Sequence, residues 1–387
     1  MRPWFILAAV ALARAGFGYQ FQTVASLGPN LVPLFHLTYA EFGALIGCYM
    51  LLGVFIALPL GVLARWAGDR WTLGGGLALM VAGGCISAWG GGPAGIAAGR
   101  IIAGVGAVAM IVMQNKVIAD WFTGPRFMLA ISVSVAAYPV GVGLAQLILP
   151  PVVQAYGWRA GFLTDGAMLG VPLLVFLASF RPPPRTAPPP RGFAVPSLRE
   201  CLLLVVSGLI WTAYTAGYSG YTSYVPSTMA LRGEGLALTG LVMTIATWGN
   251  VPATMFGGGL AGRYGGFRIF LIGTLALVVG MAGTAWVDWP VLWSVVVGIV
   301  GSIHPGVIMA VGTLSVRQEH RAVGMGVFYS VYYAGGAVGP AICGWAADMY
   351  GGPDGGLLAG SAISALAIPV YLLHRRLAAH ETMLARA

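Results

Sequence analysis

Apolar runs long enough to cross a bilayer recur along the chain, near residues 4–27, 42–63, 71–90, 95–119, 128–152, 161–180, 201–225, 237–260, 267–287, 291–314, 323–346 and 355–373, with most of the arginines in the gaps between them. A helix needs about 20 apolar residues to span the ~30 Å hydrocarbon core. Only helices and closed barrels satisfy their own backbone in lipid, and these runs are too long for barrel strands. They therefore predict twelve transmembrane helices, an all-α integral membrane protein. Of the 387 residues, 58% are hydrophobic and 8% charged, against roughly 25% charged in soluble domains. Twelve crossings with short connections take up the whole length, which excludes a soluble domain.

An even number of crossings puts both termini on one side. The gaps on that side hold Arg2, Arg65, Arg70, Arg126, Arg181, Arg263, Arg268, Arg317 and Arg375, among others, whereas the opposite gaps hold Arg159 and Arg232. By the positive-inside rule both termini are expected in the cytoplasm, and the protein in the cell (inner) membrane as a multi-pass chain. The same distribution accounts for the formal charge of +9 without a nucleic-acid partner, which would need clustered basic residues on a solvated face. Met1-Arg2-Pro3 and the apolar residues after it read as the first span and not as a signal peptide, because Arg14 interrupts the run. Cys48, Cys85, Cys201 and Cys343 lack the paired spacing of a metal site and read as small buried hydrophobes.

The chain carries an internal repeat. Gly61-Val-Leu-Ala-Arg-Trp-Ala-Gly-Asp-Arg70 returns in related form as Gly258-Gly-Leu-Ala-Gly-Arg-Tyr-Gly-Gly-Phe-Arg268. Likewise Arg126 opens a Gly-rich apolar run ending at Tyr156-Gly157, and Arg321 opens one ending at Tyr350-Gly351. Between the two copies lies the Pro- and Arg-rich segment from Arg181 toward Ser197, which can form no core and reads as a semi-rigid linker. The expected organisation is an N-terminal six-helix bundle at 1–180, a cytoplasmic linker at 181–200 and a pseudo-symmetric C-terminal six-helix bundle at 201–387.

Twelve spans, a central linker, and two loops of the Gly-x-Leu-Ala-x-Arg-x-Gly type between spans 2 and 3 and between spans 8 and 9 resemble the major facilitator superfamily of secondary transporters over the whole chain. Arg100-Ile-Ile-Ala-Gly104-Val-Gly106 is similar to that family's Arg-x-x-x-Gly-x-Gly element, and Asp120-Trp-Phe and Gly157-Trp-Arg159 also fit its habits. The first loop departs from the pattern, with Arg65 at the usual aspartate position and Trp66 at the arginine position; in the second, Gly262 replaces the aspartate while Arg263 keeps the arginine. In the family that acid ties the loop to a neighbouring helix end, a role Asp69 is placed to take here. The resemblance implies two bundles rocking about a midplane site. It also assigns conformational roles to Gly61, Arg65, Asp69, Arg70, Gly258 and Arg263 in the loops, to Arg100 and Gly104 in span 4, and to the bends at Pro139 and Pro340.

Arg14 lies about 11 residues past Pro3, roughly 16 Å deep at 1.5 Å per residue. An arginine at that depth costs at least ~2.5 kcal/mol on insertion scales and is expected to face an aqueous cavity or a buried partner. In a cavity its fixed fork of donors binds an anion; the structural alternative is pairing with a helix-end carbonyl. Gly18 and Gln22 fall on its face, where they would widen the cavity and add a neutral hydrogen bond. His304, before Pro305-Gly306, sits near mid-depth at a place where a helix is readily broken, and its imidazole can donate to an anion or carry a proton. Tyr214, Tyr218 and Tyr221 share one face of span 7, and span 11 carries Tyr329, Tyr332 and Tyr333. Phenol rims suit a small substrate, and core packing explains them equally well. Lys116 is expected to snorkel or to pair with Asp120.

All the acids, Asp165 among them, are expected in gaps or near helix ends, which leaves no carboxylate at mid-depth to attract a cation. The chain therefore reads as a secondary active or facilitated transporter of a small anionic solute, an organic carboxylate or inorganic oxyanion, with export of drugs or neutral metabolites as the alternative. It does not read as an enzyme, since no nucleophile, metal set or acid pair gathers at one depth. Expected partners are the small-molecule substrate, a coupling proton or counter-substrate, and the lipid bilayer. No cofactor, metal or nucleic acid is expected, and the chain should work as a monomer.

Overall fold

The computed structural model describes residues 2–57, 59–60, 68–122, 125–180, 195–317 and 320–384. The expected loop residues Gly61 and Arg65, and most of the expected linker, lie outside that set. Among the described residues there is no strand. The helices are α1 (Arg2–Ser26), α2 (Gly28–Phe35), α3 (Tyr39–Leu51), α4 (Asp69–Trp89), α5 (Pro93–Trp121), α6 (Pro125–Tyr156), α7 (Trp158–Ser179), α8 (Leu198–Leu231), α9 (Leu236–Tyr264), α10 (Gly266–Trp286), α11 (Pro290–Gly298), α12 (Pro305–Leu314), α13 (Arg321–Tyr350), α14 (Asp354–Ala365) and α15 (Ala367–Leu384). Eleven spans among the described residues are long and apolar enough to cross a membrane. The 30-residue α13, at about 1.5 Å per residue, has crossing length too, although its tyrosines, glycines and Asp348 make it less apolar. Several helices outrun the apolar runs that announced them, because a helix continues into polar residues: α8 ends at Leu231, past the 225 read from hydropathy.

The ends of the helices show why the chain breaks where it does. Gly68 and Gly265 precede α4 and α10 at φ +80° and +92°, and Gly157 and Gly351 follow α6 and α13 at +81° and +84°. Glycine takes such a backbone without steric cost, so two matched pairs of corners carry the repeat seen in the sequence. Ser197 and Glu200 form a reciprocal capping box at the start of α8. The tenth span is interrupted: α11 ends at Gly298, a short 3-10 turn covers Val300–Ser302, and α12 resumes at Pro305. Proline has no N–H to give and restricts the residue before it, which leaves His304 at the break. Pro369 has the same effect on the last span, separating α14 from α15 at Leu366.

The chain forms two compact units, one of Met1–Leu37, Ala44–Pro190 and Gly235–Gly240, the other of Thr38–Gly43, Arg191–Glu234 and Leu241–Ala387. In the first, α1 packs on α6 and α7, and α4 on α5 and α7. In the second, α8 packs against α13, α14 and α15, and α10 against α14. Thr38–Gly43 belongs to the second unit for a local reason. The N–H groups of Tyr39 and Ala40 at the start of α3 donate to the two carboxylate oxygens of Asp348 at 2.7 and 2.9 Å, an anion at a helix N-terminus. The Tyr224 hydroxyl donates to the carbonyls of Pro340 at 2.9 Å and Tyr39 at 3.2 Å. Outside both units large apolar side chains are bare, with Phe55 70% and Phe256 71% exposed, as a lipid-facing surface requires.

Candidate functional site

In the first unit the site is built on the crossing of α1 and α6. A β-carbon on Gly18 would run into the Tyr138 carbonyl, and one on Gly141 into the Ala15 carbonyl. Glycine at both positions lets the backbones touch. Gly18 therefore closes the helix contact and does not widen a cavity, as its position beside Arg14 had suggested. The close crossing sets the guanidinium of Arg14 over the rings of Phe17 and Tyr138, 5.3 and 5.6 Å from their centroids. Nε and Nη1 of Arg14 are buried and have no hydrogen-bond partner among the described residues. A guanidinium keeps its charge at any working pH, so this is a fixed, partly desolvated cation with donors to spare.

Phe17, Phe21, Tyr49 and Tyr138 form one aromatic cluster with centroids 5.2 to 6.5 Å apart. At its other end the Arg100 guanidinium lies 4.4 Å from the Tyr49 ring. Arg100 is 2% exposed and donates to the backbone carbonyls of Gln20 (2.5 Å), Phe21 (3.1 Å) and Ile46 (3.3 Å). It thereby ties α5 to α1 and α3, and Gly104, where a β-carbon would strike the Tyr49 carbonyl, allows that approach. Gln22 is buried and engaged.

One acid departs from the expectation that every carboxylate falls in a gap or near a helix end. Asp165 lies within α7, 1% exposed, and accepts a 2.6 Å hydrogen bond from Thr23. Gln20, beside it, donates to the Met80 carbonyl and accepts from the Tyr49 hydroxyl, and Tyr19 pairs with Thr164 at 2.7 Å. Reading depth from hydropathy alone missed this group, because a single aspartate six residues beyond Arg159 looks like a flank.

Asp69 and Arg70 tie the first loop to its neighbours. Lys116 Nζ lies 2.6 Å from Asp69 and 3.1 Å from Asp120, and Arg70 donates to the Leu177 carbonyl at 3.0 Å. In the second loop Arg263 lies over the Tyr264 ring, while the space around Gly258 is open.

In the second unit His304 is fully buried at the break in the tenth span, its ring edge-to-face with Tyr214 (4.9 Å) and Phe270 (5.7 Å). Gly273 makes room for the imidazole, since a β-carbon there would meet Nδ1. Neither ring nitrogen has a partner in hydrogen-bond geometry among the described residues; the Gly301 carbonyl in the preceding turn is the polar group that acts on it. A polar chain not legible in the sequence adjoins the ring. Asn250 Nδ2 donates to the Tyr214 hydroxyl (3.0 Å) and to Ser302 Oγ (3.1 Å), and Thr254 shares its one hydroxyl hydrogen between Asn250 Oδ1 (3.2 Å) and the Ser302 carbonyl (3.1 Å). A lone asparagine two residues before Pro252 was the available signal.

Tyr218 donates to the Ala246 carbonyl at 2.9 Å and stacks between Tyr214 and Tyr221. Tyr221 is fully buried and Tyr333 nearly so, so these two belong to the packing and not to a rim. Tyr329 and Tyr332 are half-buried and in ring contact with each other. Through Phe328 and Trp211 they run on to Tyr214. Pro139 lies inside α6 and Pro340 inside α13. No group of three or more metal-ligating side chains occurs among the described residues.

A sequence profile described as Major Facilitator Superfamily matches residues 6–340 and 235–382. The chain belongs to the Major Facilitator Superfamily. Solved structures agree with this superfamily fold. A bacterial homologue of the human lysosomal transporter Spinster, inward-facing and unoccupied, superposes with a TM-score of 0.77 at 14% identity, covering 97% of each chain. A mutant of the nucleoside transporter NupG gives 0.77 at 13% identity over 96% of this chain and 99% of its own. A D-xylose–proton symporter gives 0.70 at 16% identity over 96% and 98%. At these identities the likeness speaks for the fold. A comparison with curated protein sequences returned no match. As a superfamily member the chain is a multi-pass membrane transporter that binds a small-molecule substrate.

Proposed function

We propose that this superfamily member carries a small anion, an organic carboxylate or inorganic oxyanion, by alternating access of its two bundles about a midplane site. The observation that carries the reading is Arg14: a permanent cation halfway along α1, laid against two aromatic rings that pack on each other, with Nε and Nη1 buried and unpartnered among the described residues. Buried donors left without acceptors cost about 1–3 kcal/mol each, more when charged, and an anionic substrate would relieve that cost. Both termini face the cytoplasm of the inner membrane in this reading, and in the second bundle His304 supplies a neutral donor and Tyr218, Tyr329 and Tyr332 aromatic walls.

The test is uptake into proteoliposomes and thermal shift in detergent across a panel of small anions, with wild type beside Arg14→Gln. One anion class should be transported and should stabilise the wild type, by ~2.7 kcal/mol at 100 times its dissociation constant, and both effects should vanish in Arg14→Gln. If no anion does so, or the variant responds equally, Arg14 is structural. A second reading then takes over. The uncharged set Tyr214, Asn250, Ser302 and Thr254 suits a neutral hydroxyl-bearing solute, as the names of the nucleoside and xylose transporters suggest for those proteins. For such a solute, Asn250→Leu is the variant that should abolish uptake.

A further inference from the structure

Away from both sites, the second unit holds a cavity of about 390 Å³ between α8, α12 and α15, within the ~300–1,000 Å³ of ligand clefts. Its lining is mixed: Leu203, Val311, Leu314 and Ala378 are apolar, while Ser315, Tyr371, His374 and Arg375 carry polar groups. The polar part is built. Ser315 donates its single hydroxyl hydrogen to the Val311 carbonyl at 2.7 Å, so at 2.8 Å from His374 Nε2 it acts as the acceptor. This fixes the ring with Nε2 protonated.

Arg375 is laid over the Phe267 ring, 4.9 Å from its centroid, and Tyr371 stacks on Phe270 at 4.3 Å. Arg199 donates to the Leu377 carbonyl from α8 and adds positive charge. Among the described residues no carboxylate lines the cavity. The acid at the start of α8, Glu200, is held elsewhere by the N–H groups of Ser197 and Arg317 and by His320.

The depth of the cavity is the second argument. Leu314 is the last residue of its span, Arg375 lies near the end of the span that closes at Ala379, and Leu203 lies near the start of the span that opens at Leu198. The cavity thus lies where three candidate spans end, and span ends are where lipid headgroups are expected. The cavity is open there, since Leu314 is 76% exposed and Arg375 is exposed. Basic pockets between transmembrane helices at this level bind acidic heads, and the apolar part of the lining suits an alkyl tail.

We propose that this cavity is a binding site for an anionic amphiphile, with the phosphate or carboxylate head at Arg375, the neutral His374–Ser315 pair beside it, and the alkyl tail along Leu203, Val311 and Leu314. The occupant is either an acidic membrane phospholipid or a free fatty acid, which share this chemistry. The site is separate from Arg14 and does not depend on the identity of the transported solute.

The experiment is native mass spectrometry of the full-length protein titrated with dioleoyl phosphatidylglycerol, dioleoyl phosphatidylcholine, dodecanoate or inorganic phosphate. It compares wild type, Arg375→Gln, Ala378→Leu, which narrows the cavity without touching its charge, and Arg376→Gln, which removes a neighbouring exposed arginine that does not line it. Wild type should retain an anionic amphiphile over phosphatidylcholine. Arg375→Gln should lose that preference by at least roughly fivefold, the weight of one arginine at a membrane surface, Ala378→Leu should lose it as well, and Arg376→Gln should keep it. Preference for phosphatidylglycerol identifies the membrane lipid as occupant, and preference for dodecanoate the free acid. Equal losses in Arg375→Gln and Arg376→Gln, equal retention of inorganic phosphate, or no preference in the wild type would each overturn the proposal. Ala378→Leu keeps the test decisive if Arg375→Gln does not fold.

Discussion

Arg100 is the residue whose removal the structure prices most directly. Arg100→Met deletes the donors that now reach three carbonyls, those of Gln20 at 2.5 Å, Phe21 at 3.1 Å and Ile46 at 3.3 Å. Counting the two shorter contacts alone, at ~1.5–3 kcal/mol for a bond to a charged group, gives about 3–6 kcal/mol. At about 2–4 °C per kcal/mol for a unit of 150–250 residues, the midpoint of thermal unfolding in detergent, followed by tryptophan fluorescence, should fall by roughly 10 °C. Arg100→Lys should recover only part, because an ammonium cannot match the planar fork or its stacking on Tyr49. Arg100 and Asp165 act on each other electrostatically, so the double variant Arg100→Met/Asp165→Asn should lose less than the sum of the singles. A midpoint within about 2 °C of wild type for Arg100→Met, or strict additivity in the cycle, would refute the reading of Arg100 as the tie between α1, α3 and α5.

Gly141→Val should push α1 and α6 apart, since even a β-carbon collides with the Ala15 carbonyl; a loss of about 1–3 kcal/mol is expected for such overpacking, and an unchanged unfolding midpoint would mean the close crossing is absent. Asn250→Leu should cost about 1–3 kcal/mol by removing the donor to the Tyr214 and Ser302 hydroxyls, read as a lower midpoint that Asn250→Gln partly restores. Lys116→Met removes a half-exposed cation from Asp69 and Asp120, and because solvent screens such pairs the loss should stay under about 1 kcal/mol and shrink further in high salt; a large, salt-independent loss would contradict that. Asp348→Asn should raise hydrogen exchange at the amides of Tyr39 and Ala40, while exchange elsewhere in α3 stays as in wild type.

Much of the fold was legible because membrane insertion is a one-dimensional constraint. The apolar runs predict the helices within a few residues, Pro305 marks the place of the break at His304, and the repeated Gly-bounded loops end at Gly68 and Gly265, where the structure has positive φ. The site was legible only in part. Arg14 announces itself, since a charge in the middle of an apolar run has few physical explanations. Asp165, Asn250 and Gln20 do not, because their meaning lies in which residues of other helices they touch: Thr23 beside Asp165, Ser302 beside Asn250, Tyr49 beside Gln20. Hydropathy also places a tyrosine on a helix face without saying whether that face is packed, so Tyr221 looked the same as Tyr218.

The sequence by itself determined that this is a helical, duplicated membrane protein, because a chain with so few charges has no other way to satisfy its backbone in lipid. The tertiary structure decided what each polar group does, because pairing is a property of two helices at once. It made Arg100 a fastener whose donors are taken by carbonyls, left two donors of Arg14 buried without acceptors beside two packed rings, and turned Gly18 from a widening of the site into the contact that holds it.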